Sequence, residues 1–172
     1  MAYVDRPLGE FLALVAEPTP APGGGAVAAV TASLAAGLVA MAGPENLDDV
    51  DALTRRAAAL ADEDAAAYSE VVQARQAGAP VADALTRATE VPLEIAATAA
   101  EIARCAAEVF RTGRSSVRGD VHAALLLAEA ATCSAAYLVE INVEAGGGTP
   151  DLVDRARAHI DAARAAREIA GG

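Results

Sequence analysis

Three consecutive glycines, Gly23 to Gly25, open a run through Ala42 that carries no charged residue and consists mostly of alanine, glycine and valine. A helix without a polar face must be covered by other helices, so this run predicts the central helix of an all-α bundle. The segment Glu17 to Pro22 ahead of it holds three prolines and ends a short apolar stripe formed by Leu8, Phe11, Leu12 and Val15, because proline cannot continue a helix and biases its predecessor to extended geometry.

Composition agrees with that reading. Hydrophobic residues make up 54% of the chain, chiefly through alanine, while aromatics are 3% and tryptophan is absent, a mixture that favours helices over strands. A length of 172 residues fits one domain with a packed core. Alanine buries little apolar area per residue, so a thin bundle of this kind is expected to gain stability by pairing with a copy of itself.

Six helices follow from caps and breakers. A third is expected to start at an Asn46 cap, with Asp48 and Asp49 in its first turn, and to close at Gly78-Ala79-Pro80. The fourth runs from about Val81 to Arg111 and contains Pro92, and the fifth runs from about Asp120 to the glycines at 146–148. The sixth opens at Thr149-Pro150-Asp151.

Several function classes are disfavoured. A net charge of −11 with scattered arginines and no lysine repels polyanions, so nucleic acid is not an expected partner. The Gly24–Ala42 run lacks basic flanks and interfacial aromatics, and it lies too far from the start, without a positive segment before it, to read as a secretory signal. A buried core helix is expected there rather than a membrane span. Cys105 and Cys133 sit in alanine-rich helical stretches and read as reduced core thiols, which with the rest suggests a cytoplasmic protein. His122 and His159 are too few and too separated for a metal site, and the glycine run lacks the preceding strand and Lys-Ser/Thr of a phosphate loop. Neither metal nor nucleotide is expected.

Some polar residues stand out against the helical pattern. On the third helix the apolar face reads Val50, Leu53, Ala57, Leu60, Tyr68 and Val71, and Asp64 interrupts it. It reads either as a carboxylate at a drifting helix edge or as one facing a ligand cavity. Pro92 leaves the carbonyl of Ala88 without its helical donor, beside Thr89 and Glu90. That kink is either a packing device or part of a site. Asp120 reads as a helix cap or a site acid, and Asn142, on an otherwise apolar face, needs a partner that is either protein or ligand.

These residues, in this order, resemble the cyclodeaminase/cyclohydrolase family, known as the C-terminal domain of formiminotransferase-cyclodeaminase and as stand-alone methenyltetrahydrofolate cyclohydrolases. The resemblance spans about 8–143 and rests on PTPAPGGGAVAA at 18–29, ADEDAAAY at 61–68 and ATEVPLEIA at 88–96. It also rests on GDVHAALLLAEAA at 119–131 and INV at 141–143. It implies a homodimeric all-α bundle acting on one-carbon adducts of tetrahydrofolate, the folate derivative being the substrate. The chemistry is loss of ammonia from the 5-formimino form or addition of water to the 5,10-methenyl form. Both reactions pass through a planar cationic amidine carbon.

The resemblance matches Gly23, Gly24, Gly25, Asp64, Glu90, Asp120 and Asn142 to family motif positions. Matching together with chemical fitness makes Asp120 the first catalytic candidate and Glu90 or Asp64 the second. The three glycines and Asn142 are substrate-binding candidates, joined by Thr89 beside the Pro92 kink and by Arg118 as an arginine that could replace a basic segment. Cyclohydrolase is the favoured reaction, as no formiminotransferase domain precedes the chain. Three departures accompany this. AGPENLDD at 42–49 replaces a basic segment, Gly119 stands where a serine is usual, and Leu138 occupies the first asparagine position of an N-x-x-x-N pattern. They leave two other readings open, a scaffold turned to a different imine or iminium and a helical dimer that has lost its chemistry.

Overall fold

The structure, a computed structural model, describes residues 2–43 and 48–171. Six α-helices account for most of these residues: α1 (Leu8–Ala16), α2 (Gly24–Ala42), α3 (Asp48–Gln76), α4 (Ala82–Thr112), α5 (Arg118–Glu144) and α6 (Asp151–Gly171). No strand is present among the described residues. The expected Asn46 cap lies outside them.

The small-residue helix is the hub. α2 packs against α3, α4 and α5, while α6 covers α4 and α5 from the other side. Ala26, Ala29, Ala32, Ala35, Ala36 and Val39 of α2 are buried almost completely, because alanine lets neighbouring backbones close in until larger side chains from those helices fill the space. Around the start of α2 the filling comes from Leu60, Ile95 and Val139. Toward its end it comes from Val50, Ile102, Val121 and Leu125. The N-terminal end of α2 thus shares its layer with the C-terminal part of α5, and the two helices run in opposite directions.

The enclosure of α2 is not complete. Leu34 and Met41 are 62% and 52% exposed, so one stripe of a helix expected to be covered all round faces outward. By length and composition α2 and the segment Ser115–Glu144 could each cross a bilayer, and the buried side of each is packed against other helices of the bundle.

α4 continues through Pro92 without a break. It is tied to α3 by Arg56, whose Nε lies 2.6 Å from Glu94 while its guanidinium also holds Glu63. These side chains are 36–48% exposed, so the pairs orient the helices more than they stabilise them. α5 starts earlier than expected, at Arg118, with Val117 in the cap position and no side-chain capping bond. Asp120 therefore sits in the first turn, where the helix dipole favours a carboxylate, and is not the cap.

Candidate active site

Helical spacing brings Asp64 to the site. It follows Leu60 by four residues on α3, and Leu60 is fully buried at the start of α2, so Asp64 lies on the face that meets the glycine run. The approach is close. A Cβ built on Gly25 would lie 2.0 Å from Asp64 Oδ1 and 2.3 Å from its Cγ, so only glycine at position 25 leaves room for the carboxylate. The first turn of α2 offers amides without helical partners, and that of Ala26 stabilises the Asp64 carboxylate. Burial outweighs this help and raises the Asp64 pKa from 3.8 to about 6, since removal from water penalises the charged form.

Beside this carboxylate lies a cavity of about 360 Å³, walled by the proline run, Gly23–Gly25, Asp64 and Tyr68 of α3, Ala88 and Pro92 of α4, and Leu138, Ile141 and Asn142 of α5. Its volume is in the range that holds a small organic ligand. Ala88 and Pro92 are one helical turn apart and share the wall. Glu90, two residues from each, falls about 200° around the helix and is exposed away from the cavity.

Asn142 resolves the polar deficit that Pro92 creates. Its Nδ2 donates to the carbonyl oxygen of Ala88 at 2.5 Å, the carbonyl that the amide of residue 92 would satisfy in an ordinary helix. The end of α5 is pinned there by Gly147, whose N–H donates to the carbonyl of Asn142 at 2.8 Å. A Cβ on Gly147 would lie 2.3 Å from Thr89 Oγ1, so this turn too requires glycine.

Of the residues singled out in the sequence, Gly23, Gly24, Gly25, Asp64 and Asn142 meet in this cavity. Thr89 is fully buried and donates its hydroxyl to the carbonyl of Leu85 at 2.8 Å, so it supports the wall from behind. Asp120 and Arg118 are exposed at the opposite end of α5. Twenty-two residues of helix, about 33 Å, separate Asp120 from Asn142 in the same chain. Arg118 stacks there on the ring of Phe110, 5.1 Å from its centroid.

Sequence reasoning passed over Tyr68 as a site residue, although its position one turn beyond Asp64 was a usable signal. Leu138 stands one turn before Asn142 and gives the cavity wall an apolar side chain there. A larger groove of about 520 Å³ between α4 and α6 is floored by alanines, and the arginines on its α4 rim, Arg104 and Arg111, are already paired with Glu101 and Glu108. Among the described residues no three of His, Cys, Asp and Glu converge as metal ligands would.

Comparison with known proteins agrees with the architecture. A model of the formiminotransferase-cyclodeaminase family matches residues 7–159. The fold is shared with the crystal structure of formiminotetrahydrofolate cyclodeaminase from Thermotoga maritima, with a TM-score of 0.85 over 98% of each chain at 22% identity. At that identity the likeness is one of fold. No curated protein matches the chain.

Proposed function

Because the chain belongs to the formiminotransferase-cyclodeaminase family, we propose that this cavity binds a one-carbon derivative of tetrahydrofolate and that Asp64 moves the proton in its conversion, hydrolysis of the 5,10-methenyl form being the favoured reaction. The observation that carries this reading is the Asp64 carboxylate, held at the glycine end of α2 and facing a ligand-sized cavity with a pKa raised to about 6.

The chemistry follows from that pKa. Above pH 6 Asp64 is mainly ionised, and a carboxylate in a poorly solvated site both attracts the cationic amidine carbon and accepts a proton from water. Water adds to that carbon, the proton goes to Asp64, and a neutral tetrahedral adduct forms. The bond from carbon to N5 then breaks as N5 takes a proton and the hydroxyl loses one, leaving the formyl group on N10. Ammonia loss from the 5-formimino form uses the same geometry in the other protonation sense: N10 bonds to the carbon and gives up its proton, while protonated Asp64 donates a proton to the amino nitrogen, which leaves as ammonia as its bond to carbon breaks. A base at neutral pH suits the hydrolysis better.

The active unit under this proposal is a homodimer. Its support is an uncharged outer stripe, Leu34 and Met41 on α2 with Leu126, Tyr137 and Ile141 on α5, all at least 43% exposed in a chain of charge −11. Ile141 belongs to both the stripe and the cavity wall. Given the length of α5, Asp120 can act beside Asp64 only if a second copy supplies it.

Leu138 favours a second reading, a related imine or iminium substrate outside folate metabolism, since it gives the cavity wall an apolar side chain. The deciding experiment follows the absorbance of 5,10-methenyltetrahydrofolate with the purified protein, with Asp64→Asn, and without enzyme. Acceleration that Asp64→Asn abolishes supports the folate reading. Equal decay in all three overturns it and turns the search to other imines.

A further inference from the structure

The bond between Asn142 and Ala88 has a consequence for what the cavity can recognise. A side-chain amide has two donors on its nitrogen and an acceptor on its oxygen. Only the nitrogen can face the Ala88 carbonyl, because two acceptors at 2.5 Å would repel. The orientation of the carboxamide is therefore fixed by its partner. That partner is free to take it because Pro92 has no N–H to give. Asn142 Oδ1 has no hydrogen-bond donor among the described residues, and Asn142, Ala88 and Pro92 all stand in the same cavity wall.

We infer that Pro92 is a positioning residue, which by withholding its amide from Ala88 commits Asn142 Nδ2 to that carbonyl and reserves Asn142 Oδ1 for an N–H donor of the bound ligand. The ligand class this selects is a nitrogen heterocycle presenting an amino or ring N–H edge, as the pterin of a reduced folate does. A carbonyl or carboxylate at the same place would meet an oxygen and be rejected. Identification of the ligand as a folate rests on the proposed function, whereas the coupling of Pro92 to Asn142 does not. Asp64 on α3 lines the same cavity as Asn142 on α5, so a ligand with its donor edge on Asn142 can present an electron-deficient carbon to Asp64.

The test pairs Pro92→Ala with Asn142→Ala and the double variant. Pro92→Ala returns an amide to Ala88 and removes a poor helix former, so its Tm is expected to stay level or rise. Its affinity for 5-formyltetrahydrofolate, measured by calorimetry, is expected to fall about ten-fold. In the Asn142→Ala background the same change is expected to alter affinity less than about two-fold, the signature of coupled residues. NMR of the ligand-free protein reads the contact directly, as one Asn142 side-chain proton should exchange slowly in the unsubstituted protein and lose protection in Pro92→Ala.

Loss of affinity of equal size in both backgrounds, or an Asn142 amide already unprotected before substitution, overturns the inference. If the unsubstituted protein does not bind 5-formyltetrahydrofolate while the NMR protection is present and Pro92-dependent, the folate reading falls and the positioning role stands.

Discussion

The carboxylate of Asp64 fills the space that a side chain at Gly25 would need, its Oδ1 lying 2.0 Å from where that Cβ would be. This contact places an acid at the start of a helix with unpaired amides and out of contact with most of the solvent. Gly25→Ala is expected to push the carboxylate aside, destabilise the protein by about 1–3 kcal/mol and abolish turnover. Gly25→Ala with Asp64→Ala should regain stability in chemical denaturation but not activity, so an active Gly25→Ala protein counts against this packing.

Asp64→Asn separates stability from function. The raised pKa means that the folded state binds a proton more readily than the unfolded chain between about pH 4 and 6, so the Asp64 contribution to stability falls as pH rises through that window. The shift from 3.8 to about 6 corresponds to at most about 3 kcal/mol. Neutral asparagine avoids this loss. Thermal melts should show Asp64→Asn more stable than the parent at pH 7.5, with the gain gone by pH 4, while activity drops about 100-fold or more.

The same group sets the pH profile of hydrolysis. The base must be ionised, so kcat/KM for 5,10-methenyltetrahydrofolate, corrected for the spontaneous reaction, should rise with unit slope and level off above about pH 6. A profile that falls through that region would identify Asp64 as the acid and favour ammonia loss over hydrolysis.

Dimerisation and the role of Asp120 can be read together. If the proposed dimer forms through the uncharged stripe, Leu34→Glu, which places a charge in it, should leave only monomer in sedimentation analysis where the parent protein sediments as a dimer. Asp64→Asn and Asp120→Asn, each inactive alone, should recover about a quarter of parental activity when mixed and exchanged, as half the dimers are mixed and each holds one intact site of two. Full exchange without recovery would show that Asp120 has no part beside Asp64 of the other copy.

Local spacing along the chain specifies the helices and exposes the anomalies. An uncharged small-residue run behind a proline segment reads as a helix with neighbours on most sides, and Asp64 on an apolar face and Pro92 inside a helix each announce a polar group that must be answered, since periodicity depends on local spacing alone. Which residue answers which was decided by the tertiary structure. Asn142 is 54 residues from the Ala88 carbonyl it satisfies, and Glu90, though inside the same motif as Pro92, faces away because two residues of helix turn it to the opposite side. Asp120 reads as the leading acid from its motif, yet the length of α5 holds it at the far end of the bundle. Contacts between helices depend on how their axes cross and how deeply small residues let them approach, and no local pattern encodes that.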